Sequence, residues 1–178
     1  MTLALGTDAP TFDLPGTDGR NHTLDDYSDA EVLVLVQSCN HCPYVQAWEG
    51  RMVDLQREYE GRGVRLVAVN SNDAASHPED SFDEMRARAE REGFNFDYLY
   101  DEPQAVAREL GAERTPEVFV FDRDRKLRYH GAIDDSRDET AVSQHYLRDA
   151  LDAVLEERDP GIAETPAVGC TVKWRAGS

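Results

Sequence analysis

Residues 32–59 read VLVLVQSCNHCPYVQAWEGRMVDLQREY, and this stretch decides the fold. Val32 to Gln37 is a nearly unbroken apolar run, the pattern of a strand buried on both faces. SCNHCP follows, and then a helical pattern in which Val45, Trp48, Met52, Leu55 and Tyr59 recur at steps of three and four, one apolar stripe to lay against a sheet. Pro43 falls in the first helical turn, where its missing N–H costs little. Gly61 and Gly63 close the helix. Two cysteines, Cys39 and Cys42, therefore stand two residues apart at a strand-to-helix junction.

Outward from that junction the chain alternates. Phe12–Leu14 and Asn21–Leu24 flank the turn-rich PGTDG, residues 15–19, and read as a small N-terminal hairpin. Val64–Val69 is a second buried strand. SHPE at 76–79 reads as the start of a helix reaching about Glu92, and Phe96–Tyr100 as a strand. Pro103 opens a short helix closed by Gly111. Glu117–Phe121 and Leu127–Ile133 form a hairpin across the polar turn 122–125. Glu139–Glu157 reads as a helix with Val142, Leu147, Leu151, Val154 and Leu155 inward. The tail, 158–178, is rich in Pro, Gly and small residues and carries no assignable element. The order predicts one α/β domain over 1–178, with a mixed central sheet between helices, parallel in the middle and antiparallel at one edge, and a hairpin at its front.

Composition narrows the function. Among 178 residues there are 36 acidic and 19 basic side chains, a net charge of −17, and only two of the basic residues, Lys126 and Lys173, are lysines. Such a surface repels nucleic acid and anionic membranes, and it resembles the acidic, lysine-poor surfaces of halophiles, where salt screens self-repulsion. The opening MTLALGTDAP has neither the basic end nor the apolar stretch of a signal peptide, so the expected location is cytoplasmic. Three cysteines are too few for a disulfide scaffold, and a close pair in a reducing compartment points to redox or metal chemistry. No Gly-rich nucleotide fingerprint is present, so no cofactor is expected and electrons are expected from an external thiol reductant.

At a helix N-terminus the dipole and free N–H groups stabilise a thiolate, which lowers a thiol's pKa and makes it nucleophilic. The expected cycle has the Cys39 thiolate attack a protein or small-molecule disulfide, form a mixed disulfide, and be released by Cys42. His41, beside Cys42, is expected to tune the thiolate and raise the potential. A zinc site, built on Cys39, His41 and Cys42, lacks the second ligand pair that a closed structural site needs. It and a non-catalytic binding protein are the remote alternatives.

CNHCPYV, the opening LGTDAPTFDLPGTDG, the RTP of Arg114–Thr115–Pro116 ahead of VFVFD, and the terminal GCTVKW together resemble the thioredoxin-fold redoxins, in a peroxiredoxin-like subgroup of the alkyl hydroperoxide reductase and thiol-specific antioxidant superfamily. That resemblance implies a thioredoxin-like fold. It implies that Pro116 is cis and faces the thiols, and that the backbone of Thr115 binds an extended substrate segment. It also raises a peroxidase alternative. Cys42 aligns with the attacking thiol of Pro-x-x-x-Thr-x-x-Cys, Leu35 with the proline and Cys39 with the threonine, so Cys42 would attack peroxide and Cys39 resolve, with Arg114 as the accompanying arginine. Loss of the threonine hydroxyl, which would orient peroxide, ranks this second. Cys170, in GCTVKW, is expected as an accessory resolving or regulatory thiol, and Trp174 as an anchor for the tail.

Overall fold

A computed structural model describes residues 1–177. In chain order the elements are β1 (Asp13–Pro15), β2 (Asn21–Thr23), β3 (Val32–Ser38), α1 (Pro43–Tyr59), β4 (Val64–Asn70), α2 (Phe82–Arg91), β5 (Asp97–Tyr100), α3 (Ala105–Leu110), β6 (Arg114–Thr115), β7 (Glu117–Phe121), β8 (Leu127–Gly131), α4 (Tyr146–Leu155) and β9 (Cys170–Thr171). Five strands make the central sheet in the order β5-β4-β3-β7-β8. β3, β4 and β5 are parallel, while β7 and β8 run antiparallel. This is the mixed sheet expected of a thioredoxin-like fold, with the β1–β2 hairpin at its front.

Alternation along β3 builds two cores. Val32, Val34 and Val36 face α1 and α4 and pack with Trp48, Met52, Leu55, Leu147, Leu151 and Val154. Leu33 and Leu35 face the other way, against Tyr27, Val106, Leu110 and Phe119. A strand buried on both faces has no reason to alternate polar and apolar residues, which is why β3 reads as one apolar run. Trp48 is 3% exposed and its indole N–H donates to Asp134 at 2.9 Å, so it is core.

Three helix starts differ from the sequence reading: α3 begins at Ala105, its N-cap Gln104 at a φ of 64°, so Pro103 lies in the turn ahead of it rather than opening the helix. α2 starts at Phe82, with Ser81 as its N-cap accepting the N–H of Glu84 at 3.2 Å. Pro78–Asp80 is a separate 3₁₀ turn. The shift has a cause: the Asp80 side chain is completely buried and points inward at the Cys39 loop, so the chain kinks there before the helix begins. α4 starts at Tyr146, preceded by a 3₁₀ turn at Glu139–Ala141. Val142 is outside the helix and only half-buried, because the 143–144 segment turns back to bond Asp135.

The tail, unassigned from sequence, is held at several points. Thr165 donates its N–H to the His130 carbonyl at 3.1 Å and His130 donates to Ala163, which lays the tail along the outer edge of β8. At the far edge, Thr17 donates to the Tyr98 carbonyl on β5. Farther on, Cys170–Thr171 pairs with β6, and Val172 is buried. Trp174 remains 42% exposed beneath the Arg108 guanidinium, so Val172 is the deeper anchor. No helix among the described residues is long and apolar enough to cross a membrane.

Candidate active site

β3 ends at Ser38, and the chain leaves the sheet as Cys39–Asn40–His41 before α1 begins. The N-cap of α1 is Cys42, in extended conformation, with Pro43 as the first helical residue. Cys39 and Cys42 are 1% and 0% exposed, and their side chains pack together as free thiols. Thr115, itself fully buried, reaches both. Its Oγ1 is 3.5 Å from Cys39 Sγ, and its carbonyl oxygen is 3.4 Å from Cys42 Sγ and accepts from that thiol while Cys42 is protonated. The Thr115–Pro116 peptide is cis.

Charge separates the two sulfurs. The Cys39 S–H donates to Cys42, and the thiol of Cys170 and the backbone N–H of Val45 also address Cys42, pulling it down to about 4 against the opposing effect of burial. Cys39 is pushed far up, by that same donation, by burial and by the nearby Asp80 carboxylate. The two protons belong to one coupled system, and the first to leave comes from Cys42. The sequence reading gave the lowered thiol to Cys39. Here the lowering falls on Cys42, chiefly through Cys39 and then through Cys170 and the Val45 N–H in the first turn of α1.

His41 Nδ1 lies 2.5 Å from the buried Asp80 carboxylate, its ring stacks on His77 at 5.8 Å, and one of its ring nitrogens is within 4.8 Å of the Cys39 sulfur. Arg114 is exposed on β6. Its charge is felt at Cys170.

Sequence reasoning missed the polar support behind the loop. Asp80 accepts the Asn40 N–H at 2.7 Å and the Asn72 side-chain amide at 2.9 Å, Asn70 donates to the Asp80 carbonyl, and the Tyr98 hydroxyl donates to Asn40 at 2.8 Å. All of these residues are buried, and buried polar groups need such partners. The available signal was the polar run Asn70–Ser71–Asn72 at the carboxyl end of a buried strand, where open α/β sheets place their sites. Cys39, His41 and Asp80 also set ligand atoms within 4.8 Å of one another. Three ligand atoms fall one short of a closed tetrahedral zinc site, and the Asp80 carboxylate already accepts from Asn40 and Asn72.

Residues 5–130 match the AhpC/TSA family. An uncharacterized conserved protein from Geobacillus kaustophilus is 42% identical, with a TM-score of 0.92 over 98% of this chain and 94% of that one. A hypothetical protein from Sinorhizobium meliloti 1021 is 38% identical, with a TM-score of 0.93 over 99% and 98%. The thiol-disulfide oxidoreductase ResA of Geobacillus thermodenitrificans is 28% identical over 128 residues, 71% of this chain and 68% of its own.

Proposed function

The chain belongs to the AhpC/TSA family, and from that premise we propose that it is a thiol-disulfide oxidoreductase working through Cys39 and Cys42. The observation that carries the reading is the packing of two buried thiols at the start of α1, with Thr115 reaching both sulfurs. The Cys42 thiolate attacks one sulfur of the substrate disulfide, and the other substrate sulfur leaves as a thiol. Cys39 then gives up its proton and attacks the Cys42 sulfur, closing the Cys39–Cys42 disulfide and releasing the second substrate thiol. Thr115, with an oxygen against each sulfur, positions the pair, and Pro116 shapes the turn beside it. An external thiol reductant returns two electrons.

A second reading, a thiol peroxidase, is favoured by one observation: both cysteine residues are at most 1% exposed, which admits a small oxidant more readily than a protein disulfide. There Cys42 attacks the peroxide, water or an alcohol leaves, and Cys39 condenses with the resulting sulfenate. The Thr115 hydroxyl, beside the pair, stands in for the hydroxyl lost where Cys39 replaces threonine.

Stopped-flow mixing of the reduced protein with a model disulfide and, separately, with hydrogen peroxide separates the two. Disulfide exchange predicts that Cys42→Ser abolishes reaction with the disulfide and that peroxide is consumed no faster than by free cysteine. Peroxide consumption orders of magnitude above free cysteine, also lost in Cys42→Ser, selects the peroxidase. Full activity in Cys42→Ser with either oxidant refutes both.

A further inference from the structure

Thr115 touches both sulfurs of the pair, and its antiparallel partner across β6 and β9 is Cys170. The pairing is close. A Cβ placed on Gly169 would lie 2.0 Å from the Thr115 carbonyl oxygen, so only glycine lets the tail come this near. Thr115 Oγ1 is 3.5 Å from the Cys170 carbonyl, and Cys170 packs against Cys39, Cys42 and Val45. The segment after it is fastened rather than loose. Val172 donates to the Glu113 carbonyl at 3.1 Å, Lys173 donates its N–H to Asn72 Oδ1 at 2.9 Å, and the Lys173 carbonyl accepts from Asp73 at 2.8 Å. Asn72 also holds Asp80, so the tail and the Cys39 loop share one polar frame.

The three thiols differ in access. Cys39 and Cys42 are sealed, whereas Cys170 is only half-buried. A bulky reductant cannot bring a sulfur to either member of the pair while β9 is in place. Cys170 is the one thiol of the three that faces both the pair and the outside.

We infer that Cys170 is a third redox residue, which takes the disulfide over from Cys39 and presents it to an external protein dithiol. The inference rests on the pair chemistry proposed above. In the exchange, Cys170, whose thiol burial and Cys42 push up to about 11, gives up its proton and attacks the Cys42 sulfur of the Cys39–Cys42 disulfide. The Cys42–Cys170 bond forms, the Cys39–Cys42 bond breaks, and Cys39 leaves with the electron pair and takes up the proton that Cys170 lost. No oxidant is consumed. The external dithiol then attacks the Cys170 sulfur, its second thiol closes its own disulfide, and Cys42 and Cys170 are returned as thiols with the dithiol's two protons.

The test is to oxidise the reduced wild type, Cys39→Ser and Cys170→Ser with one equivalent of diamide, block the remaining thiols, and map disulfides by mass spectrometry of unreduced peptides. The expected result is a Cys42–Cys170 peptide in the wild type beside the Cys39–Cys42 one, and the Cys42–Cys170 peptide alone in Cys39→Ser. Oxidised wild type and Cys170→Ser are then reduced with a thioredoxin-type protein dithiol and with dithiothreitol. Cys170→Ser is expected to lower the protein-to-dithiothreitol rate ratio about tenfold, since access to the attacked sulfur sets the rate. If Cys39–Cys42 forms in the wild type while Cys170 is recovered there and in Cys39→Ser as a blocked thiol, this inference is overturned and the pair chemistry stands. If none of the three forms a disulfide, the pair chemistry fails with it. The wild-type map requires no substitution, so a variant that does not fold leaves the test intact.

Discussion

Cys42 ionises first because neighbours donate to it, and that makes its behaviour separable from that of Cys39. Thiolate ultraviolet absorbance followed against pH should show a first step near about 4 in the wild type. A thiol lowered in this way is a thiolate at every pH above that step. Cys39→Ser replaces the sulfur donor whose hydrogen bond is the largest lowering contribution, so the step is expected to move upward and reactivity to fall as the pH drops through its new position. Asp80 acts on the other sulfur with opposite sign. Its carboxylate raises Cys39, so Asp80→Asn should bring the upper step of the same titration down, and should also cost about 1–3 kcal/mol of unfolding free energy by weakening buried hydrogen bonds to Asn40 and Asn72. The two cysteines were legible from spacing alone. Asp80 was not, because an acid in the run SHPED reads as a helix-start residue until the fold shows it buried.

For whole elements, the sequence was most legible where burial leaves a period. β3, β4, β7 and α1 lie within a residue or two of their expected limits, because apolar runs and three-to-four spacing report directly on what faces the core. It failed where a few tertiary bonds outweigh propensity. Ser76 and Ser81 both suit an N-cap, and only Ser81 caps, because Asp80 is drawn inward ahead of it. Ser81→Ala is expected to lower stability by about 1 kcal/mol in a denaturant titration, the usual worth of such a cap, and Ser76→Ala to lower it by less. β9 has two residues and no period to read. Its position depends on Gly169, so Gly169→Ala should lift the tail, seen as faster amide hydrogen exchange at Val172, whose N–H bonds Glu113 only while β9 is seated.

Taken as a whole, the chain carries a net charge of −17 that no local contact neutralises. Raising salt from about 0.1 M to about 1 M shortens the screening length from about 10 Å to about 3 Å. The thermal midpoint should therefore rise with salt; a midpoint that falls would mean that surface ion pairs such as Arg128–Asp159 outweigh the repulsion. Charge was read correctly from composition, but the way the chain's two ends close the sheet was not, since it depends on contacts between residues far apart in sequence. The hairpin segment at Thr17 bonds the outer side of β5, and the tail at Ala163–Thr165 bonds the outer side of β8. A bare edge strand is a template on which a second molecule can continue the ladder. Here each edge of the central sheet is partly covered by a segment of the same chain, which leaves a second molecule less of β5 and β8 on which to continue the ladder.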